Sequence, residues 1–380
     1  MRKLLLACVA TCGIAFASAQ DGNNICVWNA MNTFNTGGGP EDLERGIQCS
    51  DEAAVNEATA AKSKTWFYRG ELYTLIFQDK TLKPKHGTAA FEAVKAFKKL
   101  YELNDPKFKD WDEVMNYLIP LGTNVFNEGV EQYQAKNFSQ AYQYFYAIKD
   151  INAIIEGKNK KASIDLATAL KNAAISAENT GDTKAVMQVY KDWLAAAPDA
   201  NAYYRLSEAY KKTNDRTSAM KTTEEGLAKF PQDPNLLVSK INFFLEDSNY
   251  VAALGFINNL IAVEPKNDGA LFIKGLAYEK LNNEDSVIYY YTKATEVNPK
   301  NVRAWNNLGA WYINKTAKNV EEMNKLGNTA ADTKRYEELR KINKDLYSKG
   351  KPYLEKAAEL EPDNVAIQQT LKKIQLYTTE

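Results

Sequence analysis

The chain has 380 residues, of which 48 are basic and 48 acidic, and 11% are aromatic. So even a balance excludes the basic excess that nucleic-acid backbones draw on, and no polybasic run offers itself to an anionic membrane surface. His86 is the single histidine, set between Lys85 and Gly87, which excludes histidine-rich metal sites and leaves a Ser-His-Asp arrangement without support.

The first segment reads as a targeting signal. Arg2-Lys3 is a short positive region, Leu4 to Phe16 is apolar, and Ala17-Ser18-Ala19 is a small-residue cleavage site. Residues 1–19 are therefore expected to be a cleaved signal peptide, with export to the periplasm or outer membrane. The apolar run is too short to span a bilayer, and no transmembrane segment is expected elsewhere. Acylation at Cys12 is the rival reading, weakened by Val9-Ala10-Thr11 before it. Cleavage would remove Arg2 and Lys3 and no acid, leaving 46 basic against 48 acidic residues.

Residues 20–50 read as a flexible amino-terminal segment, loose and rich in Asn, Thr and Gly between Asn32 and Pro40. Gly37-Gly38-Gly39-Pro40 is followed by no Lys-Ser or Lys-Thr and preceded by no strand, so it reads as a linker and not a phosphate loop. Cys26 and Cys49 are the cysteines left after cleavage. In an exported chain such a pair points to a disulfide more than to a metal site, with two free thiols as the alternative.

From Asp51 to Pro362 the pattern is one of helical hairpins. Trp66, Gly70 and Tyr73 open the first, which carries extra residues near 77–88. Phe126, Gly129 and Tyr133, then Asn137-Phe138 and Ala141, mark the second. Ala162 to Pro198 turns at Gly181-Asp182. Tyr203, Leu206, Ser207 and Tyr210 with Ala219 and Pro231 form the next unit, followed by Leu237, Ile241, Phe244, Ala253 and Pro265. Leu271, Gly275, Tyr278, Val287, Ala294 and Pro299 complete another. Pro231, Pro265 and Pro299 stand 34 residues apart, and Pro198 lies 33 before the first of them. Each proline removes a backbone donor and restricts the residue before it, which ends a helix.

Pro299 and Pro362 are 63 apart, so the last unit carries an insertion near 317–345. There Tyr336, Leu339, Ile342, Leu346, Leu354 and Ala357 recur at three- and four-residue steps, which predicts one long amphipathic helix bent at Pro352. Residues 363–380 read as a capping helix through Ile367, Leu371 and Ile374.

Trp305-Asn-Asn-Leu308-Gly309-Ala-Trp-Tyr312 carries the tetratricopeptide first-helix signature at every signature position. With the 34-residue proline register, the chain resembles the tetratricopeptide repeat family. That resemblance implies an all-α, right-handed α-solenoid of about seven helical hairpins over 51–362, closed by the carboxy-terminal helix. The runs Lys64–Gly70, Pro352–Ala357 and Leu371–Ile374 are similar to exported tetratricopeptide proteins of Bacteroidota.

The family's first helices line a concave groove. Transfer of its groove positions selects Phe67, Glu71, Tyr204, Glu208, Lys211, Asn242, Phe272, Glu279, Arg303 and Asn306, of which Tyr204, Asn242, Phe272, Arg303 and Asn306 are the expected ligand contacts. The family's carboxylate clamp is broken, with Val238 before Asn242 and Ile273 in the following unit. No catalytic constellation, metal-ligand pattern or cofactor motif is found. The function implied is a non-enzymatic scaffold for a protein or peptide partner in the cell envelope, with no nucleic acid. The alternative is a periplasmic or surface module for a glycan or peptide nutrient.

Overall fold

The computed structural model describes residues 22–378, and their regular structure is α-helix throughout. The signal peptide expected at residues 1–19, with Cys12 in it, lies outside the described residues. The chain divides into two compact units, the first ending at Asn214 and the second running from Asp215 to the carboxy terminus.

The first unit contains α1 (22–35), α2 (Pro40–Val55), α3 (Glu57–Ala60), α4 (Ser63–Gln78) and α5 (Ala89–Leu103). Then follow α6 (Trp111–Gln134), α7 (Phe138–Gly157), α8 (Leu166–Thr180), α9 (Thr183–Ala196) and α10 (Ala200–Lys212). The flexible segment expected at 20–50 is instead largely helical. Val27 and Met31 on α1 and Leu43 on α2 are buried in one core with Leu72 and Ile76 of α4. Their three- and four-residue steps give each helix an apolar stripe, and burying it against α4 offsets the entropy of ordering a polar-rich segment. Gly37, at φ +108°, makes the turn between α1 and α2 in a conformation that glycine adopts without steric cost. Cys26 and Cys49 are joined as a disulfide between these two helices, with Cα atoms 6.1 Å apart.

The extra residues near 77–88 form an ordered turn. Asp79 Oδ1 accepts hydrogen bonds from the Thr81 hydroxyl at 2.6 Å and from the N–H groups of Thr81 and Leu82 at 2.8 and 2.9 Å. The Thr81 hydroxyl and these amides hold the Asp79 carboxyl below its ordinary range. The turn drives Leu82 fully into the core.

The second unit contains α11 (Arg216–Lys229), α12 (Pro234–Glu246), α13 (Tyr250–Val263), α14 (Asp268–Lys280), α15 (Glu284–Val297), α16 (Val302–Met323), α17 (Ala330–Leu360) and α18 (Val365–Thr378). Turns repeat in register from the end of the first unit onward. Asn214, Ser248 and Asn282 have positive φ, and each is followed by a residue, Asp215, Asn249 or Asn283, whose side chain caps the next helix. Between repeats, Asp233, Asn267 and Asn301 cap α12, α14 and α16 in the same way. The antiparallel pairs α4/α5, α6/α7 and α8/α9 lie in the first unit, and α12/α13, α14/α15 and α16/α17 in the second. The architecture is an all-α solenoid of helical hairpins.

Within the hairpins one position recurs as the point of closest approach. A Cβ added at Gly70 would stand 2.6 Å from the Phe97 ring, at Gly129 2.8 Å from Phe145, and at Gly275 2.6 Å from Tyr291. At Gly309 it would stand 2.6 Å from Leu354 Cγ and 3.0 Å from the Gly350 carbonyl oxygen. Only hydrogen fits there.

The long amphipathic helix expected through Tyr336 to Ala357 is α17, and the insertion near 317–345 also lengthens α16, which was not expected. The first helix of the last hairpin, α16, has 22 residues against 13 in α14, and α17 has 31. Polar contacts hold the extended arms together: Thr316 with the Tyr347 hydroxyl at 3.2 Å and Asn319 with buried Asn343 at 2.8 Å. Arg335 Nε adds an ion pair with Glu322 at 2.7 Å. Pro352 sits inside α17 without ending it. Ile374 of α18 is buried against Tyr347 and Leu354 of α17, which is the capping contact expected of the last helix.

Candidate functional site

The expected contact residues fall on the first helices of the repeats, Tyr204, Phe272, Arg303 and Asn306 near the amino-terminal ends that the Asp and Asn caps fix and Asn242 in the second half of α12. Phe272 stands on α14, one turn after the Asn267 cap, while Arg303 and Asn306 stand on the first two turns of α16 after Asn301. The structure brings these three together. Phe272 is only 4% exposed, so its ring is a floor and not a groove contact by itself. Its centroid lies 5.6 Å from that of Tyr291, stacked on the core side, and the Arg303 guanidinium covers it at 4.4 Å.

The polar edge of this cluster is satisfied from below. The Tyr291 hydroxyl donates to Glu279 Oε2 at 2.7 Å and accepts from Asn307 Nδ2 at 3.4 Å, and Asn306 Nδ2 reaches Asn307 Oδ1 at 3.4 Å. Burial, with Glu279 beside it, pushes the Tyr291 phenol well above its ordinary range, so it stays a neutral donor. Arg303 itself is exposed and forms no ion pair among the described residues. A guanidinium held over an aromatic ring, with its fork unpaired, is set up to take a carboxylate or a backbone carbonyl.

The other expected contacts are placed separately. Asn242 is half-buried on α12 and makes no side-chain hydrogen bond within the described residues. Tyr204 belongs to the first unit, half-buried on α10, with the Arg205 guanidinium 5.9 Å from its ring. Of the wider groove set, Phe67 is core, 3% exposed, and Glu71 is buried, accepting from the Tyr117 hydroxyl at 2.5 Å. Burial pushes the Glu71 carboxyl up, partly opposed by that hydrogen bond.

Sequence reasoning missed Tyr291 and Asn307. A signal for the tyrosine exists: Tyr190 donates to Glu178 at 3.0 Å with the same 12-residue spacing as Tyr291 to Glu279. It also missed a second feature of the same face. Lys274, 9% exposed, runs its stem through the helix packing and holds its ammonium 4.1 Å over the Tyr290 ring, which stacks on Tyr278 at 5.5 Å. Lys240, 34 residues earlier, likewise holds its ammonium over a ring, 4.8 Å from that of Phe244, and also pairs with Glu224.

The hairpins, their glycine contacts and their capped turns define a helical-repeat protein. The family model described as tetratricopeptide repeat matches residues 200–228 and 269–301, so these two stretches of the chain are tetratricopeptide repeats. No curated protein matches it by sequence. Among solved structures, MamA from Desulfovibrio magneticus RS-1 is 18% identical, with a TM-score of 0.41, covering 54% of this chain and 99% of that one. YrrB, described as a TPR protein with an unusual peptide-binding site, is 13% identical at a TM-score of 0.39, covering 52% of this chain and 96% of that one.

Proposed function

We propose that the chain is a non-enzymatic scaffold of the cell envelope that holds a protein or peptide segment on the first-helix face of its repeats. The observation that carries this is Arg303, unpaired and laid on the Phe272 ring beside the Asn306 and Asn307 amides. An amide row next to a guanidinium matches the alternating donors and acceptors of an extended peptide with a carboxylate in reach. Asn242, with its amide unspent, would extend the row on α12. The envelope placement is supported by the signal pattern of residues 1–19 alone.

Phe272 is too deeply buried to truncate without harming the core, so the test uses exposed groups. Envelope extract is passed over the immobilised chain and over the Arg303→Ala/Asn306→Ala double variant, and captured proteins are then titrated individually. Affinity lower by at least tenfold in the variant is expected, equivalent to about 1.4 kcal/mol. Unchanged affinity sinks the first-helix face, and binding confined to glycan arrays would favour the nutrient-module alternative. Sequencing of the mature amino terminus should begin at Gln20.

A further inference from the structure

A cleft of about 800 Å³ opens in the first unit, away from the cluster described above, between α1, the start of α4 and the loop before α6. Its apolar wall is unusual for a surface. Ile25 and Trp28, on successive turns of α1, are 57% and 48% exposed, and Tyr68 continues the wall from α4. Large side chains left open beside a concave space mark binding sites more often than isolated exposed residues do.

The rest of the lining is largely charged, with four lysines and two aspartates. Asp105 is engaged, accepting from the Ser63 hydroxyl and the Lys107 N–H, both at 2.9 Å. Lys64 and Lys107 form no ion pair among the described residues. Helix α4 begins here without a side-chain cap, so the positive end of its dipole adds to theirs. Asp110, at the start of α6, caps nothing and makes no side-chain hydrogen bond among the described residues.

We infer that this cleft binds a short acidic peptide segment, with an aromatic or branched apolar side chain on Trp28 and Ile25 and a neighbouring carboxylate between Lys64 and Lys107. Each part of the lining selects for this chemistry. A purely polar ligand would leave the Trp28 wall in water, and a purely apolar one would strip water from two unpaired ammonium groups without replacing it. The Asp110 carboxylate, which makes no protein hydrogen bond among the described residues, can accept from a peptide N–H, a donor that a fatty acid lacks. This site goes beyond the first-helix reading, since it lies in the other unit and uses none of the same residues.

The test is selection of a random heptapeptide display library on the full chain, followed by fluorescence anisotropy of synthetic versions of the enriched peptides. Enriched sequences should place Phe, Tyr, Trp or Leu within two residues of Asp or Glu. Their affinity should fall at least tenfold in Lys64→Glu/Lys107→Glu and in Trp28→Ala, and should weaken steadily with added salt. These residues are exposed, and far-ultraviolet circular dichroism verifies that each variant keeps its helices. Arg303→Ala should bind the same peptides within twofold, which separates this site from the first-helix face. No enrichment, enrichment of sequences without acids, or affinity unchanged in both cleft variants would overturn the inference.

Discussion

Replacement of Gly275 by Ala adds one methyl group at a place with no room for it. The new Cβ would lie 2.6 and 2.7 Å from two ring carbons of Tyr291. That ring cannot swing aside, because it is fully buried, stacked on Phe272 and tied through its hydroxyl to Glu279 and Asn307. Two effects oppose each other. Alanine improves on glycine inside a helix by about 0.8–1 kcal/mol, while forced overpacking costs about 1–3 kcal/mol. The clash wins, with a net loss of about 1 kcal/mol. Gly255, within α13, is the control: a Cβ there meets nothing within 4 Å, so Gly255→Ala should gain about 0.5–1 kcal/mol. The same chemical change should thus have opposite signs at two helical glycines of one unit. At about 2–4 °C per kcal/mol for a unit of this size, the two variants should melt roughly 4–8 °C apart by circular dichroism. Gly275→Ala melting at or above Gly255→Ala would refute the close-approach reasoning.

Cys26→Ser/Cys49→Ser opens a 23-residue link between α1 and α2, and should lower the stability of the first unit by about 3 kcal/mol in urea titration; an unchanged midpoint would show that the link does not constrain the unfolded chain. Glu71→Gln should alter the pH dependence of melting. The folded Glu71 carboxyl is raised above its ordinary 4.5, so the native state binds the proton more tightly and this group's contribution falls as pH rises above that value. The Gln variant should therefore gain on the parent as pH rises above 4.5, and a difference in melting temperature that does not change with pH would contradict it. Asn343→Ala strips the buried partner of Asn319 and should cost about 1–2 kcal/mol, read as faster amide exchange in the arms of α16 and α17.

The repeat core was legible because its signals are local. The prolines of the 34-residue register and the small residues at 70, 129, 275 and 309 each act within one hairpin. What was misread depends on neighbours. Helices α1 and α2 were hidden by Asn, Thr and Gly around sparse apolar steps, whose value appears only when Val27, Met31 and Leu43 meet α4. The lengthening of α16 into the insertion was hidden because its inner face uses Thr316 and Asn319, polar residues that break an apolar period. Phe272 sits at the repeat position that holds Tyr204 and Asn306 in other units, and its burial comes from Arg303 in the following repeat and Tyr291 in its own. With α1 read as a linker, nothing in the sequence directed attention to Trp28.

The contact between Gly309 and Gly350 has a mechanical consequence. With a glycine on each helix, α16 and α17 touch backbone to backbone: a Cβ on either would come within 3.0 Å of the carbonyl oxygen of the other. Beyond this point α16 continues to Met323, a reach of about 21 Å at 1.5 Å per residue. The crossing is a fulcrum and the paired arms are a lever. Each degree of rocking about it carries the tip roughly 0.4 Å, so a displacement too small to disturb the packed hairpins would be large where Arg335 meets Glu322.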